Sequence, residues 1–124
     1  MWIEYNANPI GKHVGDCTIR AISKVLNEPW GKIYLDVLMH GYMMCDMPSS
    51  NSVWGAYMVA QGFKKRLIPD ELPTGYTVKD FCEEHPIGTF LLVLSGHVVA
   101  VCDGDYYDTF DVGNEYPIYY FERC

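Results

Sequence analysis

The chain has 124 residues, the length of one domain spanning 1–124, and 49% of them are apolar, enough for a sizeable core. A formal charge of −7 excludes the clustered Lys and Arg of a nucleic-acid surface, and 15% aromatic residues exclude a disordered chain. No run approaches the ~18 apolar residues of a membrane span, and the start "MWIEYNANPIGK" lacks a basic segment leading into an apolar one. The expectation is a soluble, cytoplasmic protein with neither nucleic acid nor membrane as partner. The five cysteines (17, 45, 82, 102 and 124) are odd in number and widely spread, with no CxxC pair, so they read as reduced thiols. Cys17 and His13 have ligand-like spacing, but Gly15 and a helix cap fall between them, and neither a metal nor a cofactor is expected.

The elements run helices first, strands last. Asp16 is placed to cap a helix from Cys17 to about Asn27, with Ile19, Ile22, Val25 and Leu26 on one face. "EPWGKIYLDVLMHGYM" predicts a second helix, with Pro29 near its start and Ile33, Val37 and Leu38 inward. "MPSSNSVWGAYMVAQGF" opens on capping residues and predicts a third helix stopped by Gly62. Next come a short strand, "KKRLIP", and a short helix, "TVKDFCEEH", capped by Thr77. In the last third the period changes to two. "GTFLLVLSG", "HVVAVCDG", "DYYDTFD" and "YPIYYFER" predict four strands separated by turn residues. The fold class is α+β: N-terminal helices packed on a C-terminal antiparallel sheet. Trp30, Trp54, Tyr34, Tyr42 and Tyr57 fall at core spacings, and Cys45 in its Met-rich loop reads as gap filling. Asp46, Asp70, Glu71, Glu83 and Glu84 read as a solvated acidic surface, and His13 as a solvated loop residue.

Cys17 is the first residue where chemistry is suggested. A thiol is a useful nucleophile only as thiolate. A helix start favours that anion through its unpaired N–H groups and the positive end of the helix dipole. The neighbouring Asp16 opposes it unless capping, or pairing with Arg20 at i+4, occupies its charge. The second feature is His97, heading an apolar strand after Gly96. Asp103-Gly104 is a strong two-residue turn signal. With that loop, Cys102 faces Asp105, and His97 shares a face with Asp108, diagonally ~7–8 Å away. A three-residue turn would favour Asp111 instead. An Asp inside a strand is unusual. Cysteine, histidine and acid in this order suit nucleophilic acyl transfer, in which the imidazole takes the thiol proton and the carboxylate fixes its tautomer.

"GDCTIRAIS" and "GHVVAVCDGDYYDTFD" resemble the cysteine helix and the histidine and acid strands of the papain-like cysteine peptidase superfamily. The similarity is to its small members, the bacteriocin-leader peptidases and the NlpC-type amidases. A similar layout occurs in small phage and prophage proteins, which implies a bacterial or phage-infected cell. The resemblance implies a papain-like fold with Cys17 as nucleophile, His97 as general base and Asp108 as orienting group. It also implies a peptide or isopeptide amide as substrate. The family usually carries an amide side chain, often Gln, about six residues before the cysteine for the oxyanion hole. Here that position is Gly11, and Asn8 in "NANPIG" is the nearest candidate for the role, beside the backbone N–H of Cys17. The missing Gln leaves a second expectation: an idle copy of the fold that binds or inhibits a protein.

Overall fold

Helix α1 (Cys17–Leu26) forms where the spacing requires, with Ala21, Ile22 and Val25 buried, and ends at Asn27, whose left-handed backbone (φ 54°) closes the last turn. This is a computed structural model, and it describes residues 1–69 and 75–123. Asp70, Glu71 and Cys124 lie outside the described residues. Helix α2 (Trp30–Met44) follows Pro29 and buries Ile33, Val37 and Gly41. Helix α3 (Asn51–Ala60) buries Val53, Trp54, Tyr57 and Met58. Helix α4 (Val78–Glu84) opens on a full capping box, in which the Asp80 N–H donates to the Thr77 hydroxyl and the Thr77 N–H to the Asp80 carboxylate.

Among the described residues the strands are β1 (Trp2–Glu4), β2 (Phe63–Leu67), β3 (Thr89–Leu94), β4 (His97–Cys102), β5 (Asp105–Asp108) and β6 (Pro117–Arg123). They form one six-stranded sheet in the order β1-β5-β4-β3-β6-β2. The fold is α+β, but the sheet is mixed rather than antiparallel, because β1 pairs in parallel with β5. That strand has only three residues, too few to show a period of two, and its partner lies at the other end of the chain. The remaining pairings are antiparallel. The turn at Asp103-Gly104 forms as expected: both residues have positive φ (49° and 82°), and Cys102 pairs with Asp105.

The sheet is covered on both faces. Residues of α1, α2 and α3 pack with Leu91, Val93, Val98, Ala100 and Phe121 on one side. Val78, Phe81 and Cys82 of α4 pack with Leu92, Val99, Val101 and Tyr106 on the other. Strands β3 and β4 are buried on both faces and read as continuous apolar runs for that reason.

The outer side of α2 departs from expectation. Leu38, Tyr34 and Tyr42 are exposed, as are Cys45 and Met43, Met44 and Met47 around it, so none of them fills the core. The period of α2 is apolar on nearly every side, and periodicity cannot separate an inward ridge from an outward one in such a helix. Trp54 and Tyr57 are buried as expected, whereas Trp30 is half-buried and serves the polar cluster described next. No helix among the described residues is long and apolar enough to cross a membrane.

Candidate active site

Three element ends meet at one place. Cys17 opens α1, His97 opens β4 and Asp108 closes β5. Because β4 and β5 are antiparallel, the start of one lies beside the end of the other. His97 Nε2 sits 2.5 Å from Asp108 Oδ2. Cys17 lines one cleft with Thr18, His97 and Val98. The chain therefore brings together the three residues that the sequence singles out, and Asp108 rather than Asp111 is the carboxylate bonded to His97. Asp111 instead accepts from the Tyr106 hydroxyl and the Gly113 N–H, at the far side of β5.

Asp108 is 1% exposed and held from several directions. Its Oδ1 accepts from Arg20 Nη2 at 2.8 Å and from the Thr109 N–H at 2.7 Å. Its carbonyl accepts from the Trp2 indole at 3.1 Å and the Tyr5 N–H at 2.9 Å, so β1 fixes the end of β5. Arg20 in turn donates to Asp16 Oδ1 at 2.5 Å, and the Trp30 indole donates to Asp16 Oδ2 at 2.7 Å. Asp16 stands at the cap position of α1 without capping it; its side chain turns to Arg20 and Trp30 instead. The pairing with Arg20 also meets the objection raised by a carboxylate next to Cys17, since a guanidinium shared by Asp16 and Asp108 offsets both charges. Buried carboxylates persist only when paired and hydrogen-bonded in this way.

The electrostatics follow from these contacts. Burial pushes the Cys17 thiol up, but the hydrogen bond and charge of His97, the Val98 N–H and the Thr18 hydroxyl outweigh it and hold the thiol below its ordinary value. Burial pulls His97 down, but hydrogen bonds to Asp108 and Cys17 and their charges push it up to about 9. Each shift favours a thiolate beside an imidazolium. Cys82, on the opposite face of the sheet, has no such donors, and burial pushes it up to about 11.

Cys17, Thr18, Asn51, Leu94, His97 and Val98 line a cleft of about 300 Å³. His97 also borders a neighbouring hollow of about 320 Å³, with Phe110, Val112, Glu115 and Tyr116. The Phe110 ring lies 5.2 Å from the imidazole, centroid to centroid, and limits its swing.

Asn8 does not line the cleft. Its Oδ1 accepts from the N–H groups of Ile10 and Lys12, and Asn6 Nδ2 donates to the Lys12 carbonyl, so both amides serve to fold the 6–12 loop. The turn-forming habit of Asn explains why a side chain read as an oxyanion donor is spent locally. His13 is exposed in the following loop. Sequence reasoning missed the link from Arg20 to Asp108, the anchoring of Asp16 by Trp30, and Asn51. The first joins residues 88 apart and leaves no local signal. No family model matches the chain, and no curated protein or solved structure matches it.

Proposed function

We propose that the chain is a papain-like cysteine hydrolase that cleaves a peptide or isopeptide amide. The observation that carries this reading is the His97 ring, hydrogen-bonded to Asp108 through Nε2 and lining one cleft with the Cys17 thiol, whose ionisation it favours. The resemblance of "GDCTIRAIS" and "GHVVAVCDGDYYDTFD" to the family's motifs supports it independently. The Cys17 thiolate attacks the carbonyl carbon, and the carbonyl electron pair moves onto oxygen. On collapse the C–N bond breaks, and the His97 imidazolium gives its proton to the leaving amine. Water then adds to the thioester with His97 as base, releasing the acid and restoring the thiol. Asp108 keeps the imidazole oriented and stabilises its charged form. A substrate chain laid across His97 would occupy both hollows that the ring borders.

A second reading has one observation in its favour. Tyr34, Leu35, Leu38, Met39, Tyr42 and Met43 form an exposed apolar ridge along α2, the kind of surface that a protein-binding module with an idle triad would present. Iodoacetamide at near-neutral pH separates the two. The hydrolase reading expects Cys17 to be alkylated well ahead of the other four thiols, and His97→Ala to remove that lead. Equal labelling of all the cysteines would leave the binding-module reading standing.

A further inference from the structure

The proposed chemistry needs two donors for the oxygen that becomes negative when the thiolate adds to the carbonyl. One is the backbone N–H of Cys17: as the first residue of α1, it has no partner in the helix's own ladder. The side chain expected to supply the other, Asn8, is committed to its loop. The geometry points to Asn51 as the second oxyanion donor, a catalytic residue supplied by α3 rather than by the segment before the cysteine. This inference rests on the hydrolase reading above.

Asn51 lines the same cleft as Cys17 and His97. Its amide is oriented: Oδ1 accepts from the Trp54 indole N–H at 3.1 Å, and Trp54 is itself 1% exposed. With the oxygen pinned by a core side chain, Nδ2 remains to donate toward the cleft. A donor fixed before the reaction is what oxyanion stabilisation requires, because no reorganisation is then needed as charge develops. Asn51 is also the first residue of the ten-residue α3, so the positive end of that helix dipole lies at the cleft. The preceding Ser50 makes no side-chain cap bond; its hydroxyl pairs with Ser52. Two helix starts, α1 and α3, thus border one cleft, the first bearing the nucleophile and the second an amide donor.

The test uses two reagents that differ in their need for an oxyanion site. Alkylation of Cys17 by iodoacetamide is a displacement at saturated carbon and forms no oxyanion. Acylation by p-nitrophenyl acetate passes through one: the S–C bond forms, p-nitrophenolate leaves, and water later releases acetate. For Asn51→Ala, acylation of Cys17 is expected to fall about 100-fold while alkylation stays within a few-fold of the unaltered chain. Because alanine also leaves the Trp54 indole without its acceptor, Asn51→Asp is the companion. It keeps the acceptor and the fold but lacks the N–H donors, and the same fall in the ratio of acylation to alkylation is expected. Asn8→Ala is expected to leave the ratio unchanged. Rapid alkylation combined with acylation that neither Asn51 substitution slows would overturn this inference alone. Alkylation of Cys17 no faster than that of the other thiols in the unaltered chain would bring down the hydrolase reading and this inference with it.

Discussion

Cys17, half-buried, and Cys82, buried, lie on opposite faces of one sheet, and their thiols are driven in opposite directions. Cys82 lies inside α4 among Phe81, Val99 and Val101, where burial, with the nearby Asp105 and Glu83 carboxylates adding to it and the N-terminal amine opposing, raises the thiol to about 11. Cys17 is desolvated too, yet an imidazole, a backbone N–H and a hydroxyl converge on it and reverse the sign. The contrast is the one expected where the groups around a thiol, and not its burial by itself, set how readily it ionises. Cys17 also stands at the end of a buried chain of charge that runs from Asp16 through Arg20 to Asp108 and His97.

The sharpest way to break the comparison is to exchange the thiols for inert side chains. Cys17→Ala is expected to abolish hydrolysis of a responsive amide or ester substrate, a loss of about 10⁴-fold or more. Cys82→Ala is expected to leave the rate unchanged and to cost about 1–2 kcal/mol in urea unfolding from the cavity it opens. Equal loss of rate in both would erase the distinction.

Next in size is the charge chain. Arg20→Met strands two buried carboxylates and is expected to destabilise the fold by about 3–5 kcal/mol, measured by urea unfolding at neutral pH. The same substitution is expected to abolish preferential alkylation of Cys17 while Cys82 stays as inert as before.

Asp108→Asn probes orientation with little change of shape. An amide at this position no longer stabilises the imidazolium, so the rate of hydrolysis is expected to fall about 10²–10⁴-fold. The sign of the accompanying pH effect is fixed. Asp108 raises His97, so its loss moves the alkaline limb of the pH–rate profile down from about 9. In the unaltered chain, hydrolysis is expected to rise as Cys17 ionises below its ordinary range. It then falls through pH about 9 as the imidazolium loses the proton that the leaving amine needs. Alkylation needs no such proton and is expected to rise on the acidic limb without falling on the alkaline one. Two profiles of the same shape would contradict the assigned role of His97.

An effect on stability alone is expected at Gly41, where α2 and the 46–48 loop approach too closely for a side chain. A Cβ there would lie 2.8 Å from the Asp46 carbonyl oxygen and 3.1 Å from the Pro48 nitrogen. Gly41→Ala is expected to cost about 1–3 kcal/mol in thermal or urea unfolding by overpacking, without slowing alkylation of Cys17.

Much of the site was legible because its members announce themselves locally. Cys17 stands at a helix start, His97 follows a glycine, and Asp103-Gly104 is a turn pair that sets the register bringing Asp108 beside His97. Arg20 was legible as a partner of Asp16 one turn away, but its second bond, to Asp108, exists only once α1 packs against β4 and β5. Asn51 was hidden for a similar reason: as an early α3 residue it reads as a capping side chain, and only the tertiary fold brings that helix end to the cleft. In the fold, the helices and the four C-terminal strands follow from period and punctuation. Strand β1 was too short to show either. The exposed side of α2 defeated the inward-facing reading of Tyr34, Leu38 and Tyr42 because apolar residues ring that helix.

The thiolate–imidazolium pair is tested most directly by titrating the ultraviolet absorbance of the thiolate, taking the unaltered chain minus Cys17→Ala so that only Cys17 contributes. The midpoint is expected below the ordinary thiol value of 9.0, and His97→Ala is expected to move it upward. A midpoint at or above that value, unmoved by His97→Ala, would mean that the sulfur, the ring and the carboxylate stand close together without acting as one site.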